Sequence, residues 1–293
     1  MKEPKAPVAI ESVVAIAREA AALVMRLQDE IVRNPKNRHM KQDGSFVTDA
    51  DIRSLEFIAK KLRAVAPGLP VVAEEQSADV NKTILEGKGA FWLVDSLDNT
   101  SDYALGGNNF SINIALVSKD GHPMQGVLIF PGLNEIYYTG DDGRAYKQVG
   151  KAPPQAIRVI PFHAGVSEEI MKVAHHPQRA SGLSFFLGQK LRFITSRGQR
   201  RACLVATGEV ALCVENEGFY IWDTAPVAAI LKAAGGGVFN LEDGELLTFH
   251  KGLRLPAYAA AASHEIPHKM GLFGLHGVMT PPANIPLRKS SGT

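Results

Sequence analysis

Four apolar runs, far apart in the chain, end on acid: VVAEE at Glu74 and Glu75, WLVD at Asp95, SLDNT with Asp98, and YIWDTAP with Asp223. A buried apolar strand carries its last residues toward the interior, where a carboxylate loses hydration unless something at that end uses its charge. Carboxylates that converge hold hard divalent cations, and these acids therefore constrain both fold and chemistry.

Each acid also has an ordinary structural explanation. Asp49 or Asp51 suits a helix N-cap, Glu74 and Glu75 suit a solvated loop, and Asp95 with Asp98 suits an Asx turn. Recurrence of the same design at separate strand ends favours the functional reading.

The 293 residues, 45% of them hydrophobic, are enough for a sizeable core in one large domain or two interlocked ones. A formal net charge of +2 gives no basic field for a nucleic-acid polymer, which leaves small molecules as the expected partners. Cys203 and Cys213 lack CxxC spacing, so a reducing compartment fits. Glu3, Glu11 and Glu19 interrupt the first apolar stretch, and no run reaches the length of a membrane span; the expected setting is the cytoplasm, with no membrane partner.

Apolar spacing predicts a helix from Ile10 to about Val32, with Ser12 or Glu11 serving its start, then a mobile loop from Asn34 to Gly44. VTDADIRSLEFIAKKLRAVAP predicts a second helix opened by a Thr/Asp cluster and stopped at Pro67. Strands are expected at Leu69–Ala73 and Phe91–Val94, a short helix after Thr100, and an antiparallel meander through SINIALVS, MQGVLIFPG, EIYYTG and RAYKQ. Lys151–Gln155 marks a seam. Beyond it IRVI, a helix around Ser167 to Ala174, LRFIT, RACLVATG, ALCVEN, TAPVAAILKAAGG and AYAAAAS alternate strand and helix. The expected class is α/β, with an α+β half over 1–150, an α/β half over 151–276, and a loose tail over 277–293.

Mg²⁺ prefers carboxylates that share its shell with water and substrate phosphate. Two such ions activate a water and neutralise the leaving oxygen of a phosphate ester, which requires one bridging carboxylate. The turn Asp98-Asn99-Thr100 leads into a helix, whose free N–H groups suit phosphate.

VTDAD, VVAEE, WLVDSLDNT and YIWDTAPVAAILKAAGG, in this order, resemble the signatures of the inositol monophosphatase superfamily of Mg²⁺-dependent, Li⁺-sensitive phosphatases, over roughly residues 10 to 270. The resemblance implies a layered αβαβα sandwich, a homodimer, and two or three Mg²⁺ ions per site. It implies that Glu74, Asp95 and the Leu97 carbonyl hold one ion, with Glu75 the substitute if the register slips, and that Asp95, Asp98 and Asp223 hold the second. Thr100 with Asp51 would activate water, and the N–H groups of Asn99 and Thr100, beside Asp98, would bind phosphate. The catalytic set is thus Asp51, Glu74 and Thr100. The implied reaction is hydrolysis of a small, inositol monophosphate-like phosphomonoester, with no covalent intermediate. The alternatives are a 3′(2′),5′-bisphosphate nucleotidase, a sugar or histidinol phosphatase, and a non-catalytic binding relative.

The chain departs from the family pattern at Ser96, where Pro is usual, and at Asn99, where Gly is usual. If that glycine has positive φ, Asn is the least costly replacement; if it makes room for phosphate, Asn crowds the site. Ser196 to Arg201 replaces a small Gly/Ser run; its arginines, with Arg201 where nucleotidases tend to carry Lys, would meet a second phosphate or form a solvated basic helix face. Glu215 or Glu217 approximates the acid that holds a sugar hydroxyl in inositol phosphatases.

Overall fold

The structure, a computed structural model, describes residues 8–40, 46–160, 171–175, 191–196, 198–215 and 219–274. The expected tail and Glu217 lie outside them.

Helix α1 (Ile10–Arg33) buries one apolar stripe, including Val13, Ala17, Val24 and Ile31. Neither Ser12 nor Glu11 caps it. Its N-cap is Ala9, and both carboxylate oxygens of Asp141 stand 3.4 Å from the Ile10 N–H. The expected loop after α1 contains a strand, β1 (Arg38–Met40), paired antiparallel with β2 (Phe46–Thr48). Helix α2 (Asp49–Val65) starts at Thr48 through a capping box, in which Thr48 N–H donates to Asp51 Oδ2 and Ala50 N–H to Thr48 Oγ1.

A seven-stranded sheet follows in the order β3 (Val71–Ala73), β4 (Phe91–Asp98), β5 (Ser111–Val117), β6 (Pro123–Phe130), β7 (Glu135–Thr139), β8 (Ala145–Val149) and β9 (Gln155–Ile157). Only β3–β4 is parallel. The strand expected over IRVI, 157–160, is found earlier: β9 shares only Ile157 with it and hydrogen-bonds to β8, so residues 151–154 connect two strands of the first sheet.

The side-chain alternation of β4 explains why its run is apolar throughout. Phe91 and Leu93 face one core, and Trp92 and Val94 face the other, against α1 and α2. Short helices α3 (Ala78–Leu85) and α4 (Thr100–Ala104) flank β4.

The second sheet has the order β11 (Leu191–Thr195), β10 (Met171–His175), β12 (Leu212–Glu215), β14 (Tyr258–Ala261), β13 (Gly237–Asn240). Residues 171–174, expected to be helical, form β10, which pairs in parallel on both sides; ladder pairing outweighs the local helical pattern there. Helices α5 (Arg200–Ala206) and α6 (Ile221–Ala233) lie between the sheets. Being covered on both sides, α6 is apolar around its circumference. Gly235, at φ +93°, follows its end, and Gly237 opens β13. Helix α7 (Glu265–Lys269) closes the described chain. Both cysteines are free and buried, and no described helix is long and apolar enough to cross a membrane.

Helix α6 packs closely on the first sheet at Gly126. A Cβ there would lie 2.2 Å from the Pro226 carbonyl oxygen and 3.0 Å from Ala229 Cβ. Gly126→Ala is expected to cost about 1–3 kcal/mol and several degrees of Tm in thermal melts, whereas Gly89→Ala, with nothing within 4 Å, should leave Tm within about a degree.

Candidate metal centre

Asp95, Asp98 and Asp223 come together with one carboxylate oxygen of each within 4.8 Å of the others. Two come from β4 and one from α6, on opposite sides of the interface between sheet and helix layer.

In a regular strand Asp95 and Asp98 would point to opposite faces, since three positions is an odd step. Pairing with β5 explains their meeting. Asp95 is opposite Asn113 and Asp98 is opposite Ser111, so β4 holds one residue more than its partner between these points. That bulge resets the alternation and turns both acids toward α6. The Leu97 N–H inside it donates to Asp95 Oδ1 at 3.0 Å. Ser96, in place of the usual proline, ties the bulge to α2: its hydroxyl donates to the Asp51 carbonyl at 2.9 Å, and its own carbonyl accepts from Ser54 at 3.0 Å.

Asp223 occupies the first turn of α6, where its Oδ2 accepts the Tyr220 N–H at 2.7 Å. The Glu74 N–H donates to the Val94 carbonyl at 3.4 Å, which continues the β3–β4 pairing one residue beyond β3. Glu74 stands outside the 4.8 Å set, yet its charge pushes up the carboxyls of Asp51, Asp95, Asp98 and Asp223. Glu74 is therefore an acid the cluster feels.

Burial is the first cause that raises Asp51, Asp95, Asp98 and Asp223 above the ordinary carboxylate range, and repulsion from neighbouring acids adds to it. Asp98 is pushed up to about 6, with its hydrogen bonds from Ser111 and the Asn99 N–H and the charge of Arg201 pulling the other way. Asp95 Oδ2 is buried without a donor, and the Asp223 carboxyl lies close enough to bond to Asp95 when one of the pair holds a proton. An orphaned buried oxygen among hard oxygen donors fits a divalent cation such as Mg²⁺. Asp95, Asp98 and Asp223 would be its carboxylate ligands, with Glu74 and the Leu97 carbonyl adjacent.

Beside the cluster, the Thr100 hydroxyl lies 2.9 Å from Asp51 Oδ1 and 3.0 Å from the Leu97 carbonyl. The other oxygen of Asp51 accepts from the Thr48 N–H and hydroxyl, at 2.8 and 2.6 Å. The capping box thus also orients the acid of the expected Thr100–Asp51 pair. Asn99 adopts the left-handed conformation, φ +63° and ψ +46°, and its side-chain amide donates to the Asn109 carbonyl at 2.6 Å. A glycine at this position serves positive φ, and Asn meets that requirement with its side chain occupied on a neighbouring loop.

Arg201 is 3% exposed; its Nε donates to Glu215 Oε1, while its Nη1 is buried with no partner among the described residues. An adjacent Cys213 thiol donates to the same oxygen at 3.2 Å. Sequence reasoning missed Ser96, Ser111 and Thr48 as supports of the acids. Only Thr48, three residues before Asp51, leaves a readable signal, that of a capping box.

Residues 9–270 match the Inositol monophosphatase family, and the chain belongs to it. The 3′(2′),5′-bisphosphate nucleotidase CysQ of Salmonella typhimurium is 31% identical over 242 residues, 79% of this chain and 90% of that one. Its namesake from Escherichia coli K12 is 30% identical over the same length. Among solved structures, CysQ from Bacteroides thetaiotaomicron, a bacterial member of the inositol monophosphatase family, superposes with a TM-score of 0.67 at 25% identity, covering 85% of this chain and 96% of that one. An IMPase of Thermotoga maritima, at 22% identity and a TM-score of 0.68, shares the fold, covering 90% and 94%.

Two outcomes follow from the geometry. Carboxyls raised by folding favour the protonated form, so their contribution to stability is complete below the ordinary value near 3.8 and is lost as pH rises through about 6 for Asp98. Thermal melts without divalent cations should show Tm falling over that interval, and Mg²⁺ should raise Tm more at pH 7.5 than at pH 5; a Mg²⁺ effect independent of pH would contradict the cluster. Separately, Asn99→Ala should lower stability by about 1 kcal/mol, because φ +63° disfavours a side chain that forms no local hydrogen bond, whereas Asn99→Gly should stay within about 0.5 kcal/mol. Chemical denaturation reads both.

Proposed function

We propose that the protein is a magnesium-dependent phosphoric monoester hydrolase whose substrate is a 3′(2′),5′-bisphosphate nucleotide. The names of its relatives at 30–31% identity move this reading ahead of the inositol monophosphate expected from the signatures. One observation carries the hydrolase assignment: Asp95, Asp98 and Asp223 meet within 4.8 Å beside the Thr100–Asp51 pair.

The chain's own residues then have separable tasks. Thr100, donating to Asp51, keeps lone pairs with which to accept a hydrogen from water and so aim its oxygen. Asp51, raised by burial, is suited to receive a proton passed through that hydroxyl, while Thr48 fixes its orientation. The first N–H groups of α4 have no partners within the helix and would suit a phosphate. Magnesium, when bound, supplies Lewis-acid polarisation of the phosphoryl oxygens and lowers the pKa of water. Two or three ions, a homodimer, lithium sensitivity and a cytoplasmic setting belong to the same proposal and rest on family resemblance.

Phosphate release with Mg²⁺ from adenosine 3′,5′-bisphosphate, inositol 1-phosphate, histidinol phosphate and sugar phosphates tests the reading, with the bisphosphate expected to give the highest kcat/KM. Thr100→Ala should lower kcat by about 10²-fold with KM changed less than about threefold, and Asp95→Asn should lower kcat/KM by about 10³-fold. Turnover that survives Asp95→Asn sinks the metal assignment.

A further inference from the structure

Arg254 is an exposed cation on the connection between β13 and β14. Its backbone forms an isolated antiparallel bridge with Tyr220. Its Nη2 donates to the Tyr220 hydroxyl at 2.7 Å, and the guanidinium carbon stands 4.4 Å from the centre of that ring. The Tyr220 ring in turn stacks on the buried Trp222, 4.9 Å away and 8° from parallel.

This stack adjoins the acid cluster. Tyr220 is the N-cap of α6, and its N–H is bonded to Asp223 Oδ2 at 2.7 Å. Those contacts and the length of a tyrosine side chain place the guanidinium no farther than about 12 Å from the Asp223 carboxylate. A nucleoside bisphosphate can bridge such a span.

Arg254 also differs from the arginines of α5 in what neutralises it. Arg200 is paired with Glu135 and Arg201 with Glu215, whereas among the described residues no carboxylate pairs with Arg254. Among the described residues its hydrogen-bonding partner is a neutral phenol, which leaves N–H donors of the planar fork available to an oxyanion. Contact with the Tyr220 ring restrains the side chain in advance, reducing the ordering cost of binding.

We propose that Arg254, braced by Tyr220, binds the second anionic group of the substrate while the acid cluster takes the phosphoryl group that is hydrolysed. The inference rests on the phosphatase reading and assigns to Arg254 the task that the sequence suggested for Arg201. Arg254 is on this view a specificity residue, with no part in the bond-breaking step.

Binding is best measured on the full chain carrying Asp95→Asn, which that reading makes hydrolytically silent. Calorimetry in Mg²⁺ compares adenosine 3′,5′-bisphosphate with adenosine 3′-monophosphate, in Asp95→Asn alone and with Arg254→Gln or Arg254→Lys added. Arg254→Gln should weaken the bisphosphate about tenfold and the monophosphate less than about twofold, with Arg254→Lys between, as expected for loss of one partly screened charge-assisted contact. Equal weakening of both ligands would assign Arg254 to bracing Tyr220 or to the nucleoside, and would overturn the proposal, as would no change in either. In the otherwise unaltered protein Arg254→Gln should raise KM for the bisphosphate more than it lowers kcat. Absence of Mg²⁺-dependent turnover in the unaltered protein, with selective weakening still present in the Arg254 variants, would remove the phosphatase reading and leave the anion subsite standing.

Discussion

Repulsion among buried carboxylates is the interaction to which the rest of the architecture answers. Two unit charges 4.8 Å apart repel by about 3 kcal/mol at an effective dielectric near 20, and Asp95, Asp98 and Asp223 form three such pairs, with Glu74 close by. Without a cation the protein relieves that repulsion by holding protons. With one it exchanges the protons for a ligand that also joins β4 to α6. The site is therefore a bond across the core as well as a place for chemistry, and its strength depends on pH in the direction opposite to that of the metal-free fold.

Bringing the acids together depends on a local irregularity and on what fastens it. The bulge between Asp95 and Asp98 turns two acids to one face, and Ser96 anchors the bulge to α2, the helix whose first turn supplies Asp51. A proline at Ser96 would stiffen the chain but could not make the bond to the Asp51 carbonyl. The hydroxyl instead couples the strand bearing metal ligands to the helix bearing the expected base. Asn99, just after the bulge, holds φ +63° and ties its amide to Asn109, so a departure from the usual glycine keeps the turn's backbone.

What could be read from the sequence were features whose cause is local. Acid-ended apolar runs report burial along one strand, and the Thr/Asp cluster at Thr48 reports a helix start; both occur as expected. Features decided by partners distant in the chain could not be read. Met171–His175 is a strand because two neighbours pair with it, and β9 joins the first sheet because β8 accepts it. The start of α1 is met by Asp141, 131 residues away. Asp95 and Asp98 were readable as ligands, but their common face was not, since a one-residue excess in β4 exists only relative to β5. Arg201 shows the same limit: its bond to Glu215, 14 residues further along, could not be read from the basic run.

The tandem arginines of α5 carry the argument from the site back to the core. Arg200 is held by Glu135 of the seven-stranded sheet, and Arg201 by Glu215 of the five-stranded sheet, so one helix is clasped by carboxylates from both layers. Just before it, Gly198 stands so that a Cβ would lie 3.7 Å from Asp98 Oδ2. Breaking a buried pair by removing one partner strands the other charge in the interior, which makes the Arg201–Glu215 contact hard to loosen. Helix α6, bearing Asp223, packs in the same layer as α5, the helix these ion pairs hold. Arg201 is thereby tied into the core beside Asp98, and the exposed Arg254 is the guanidinium we propose for the second charge.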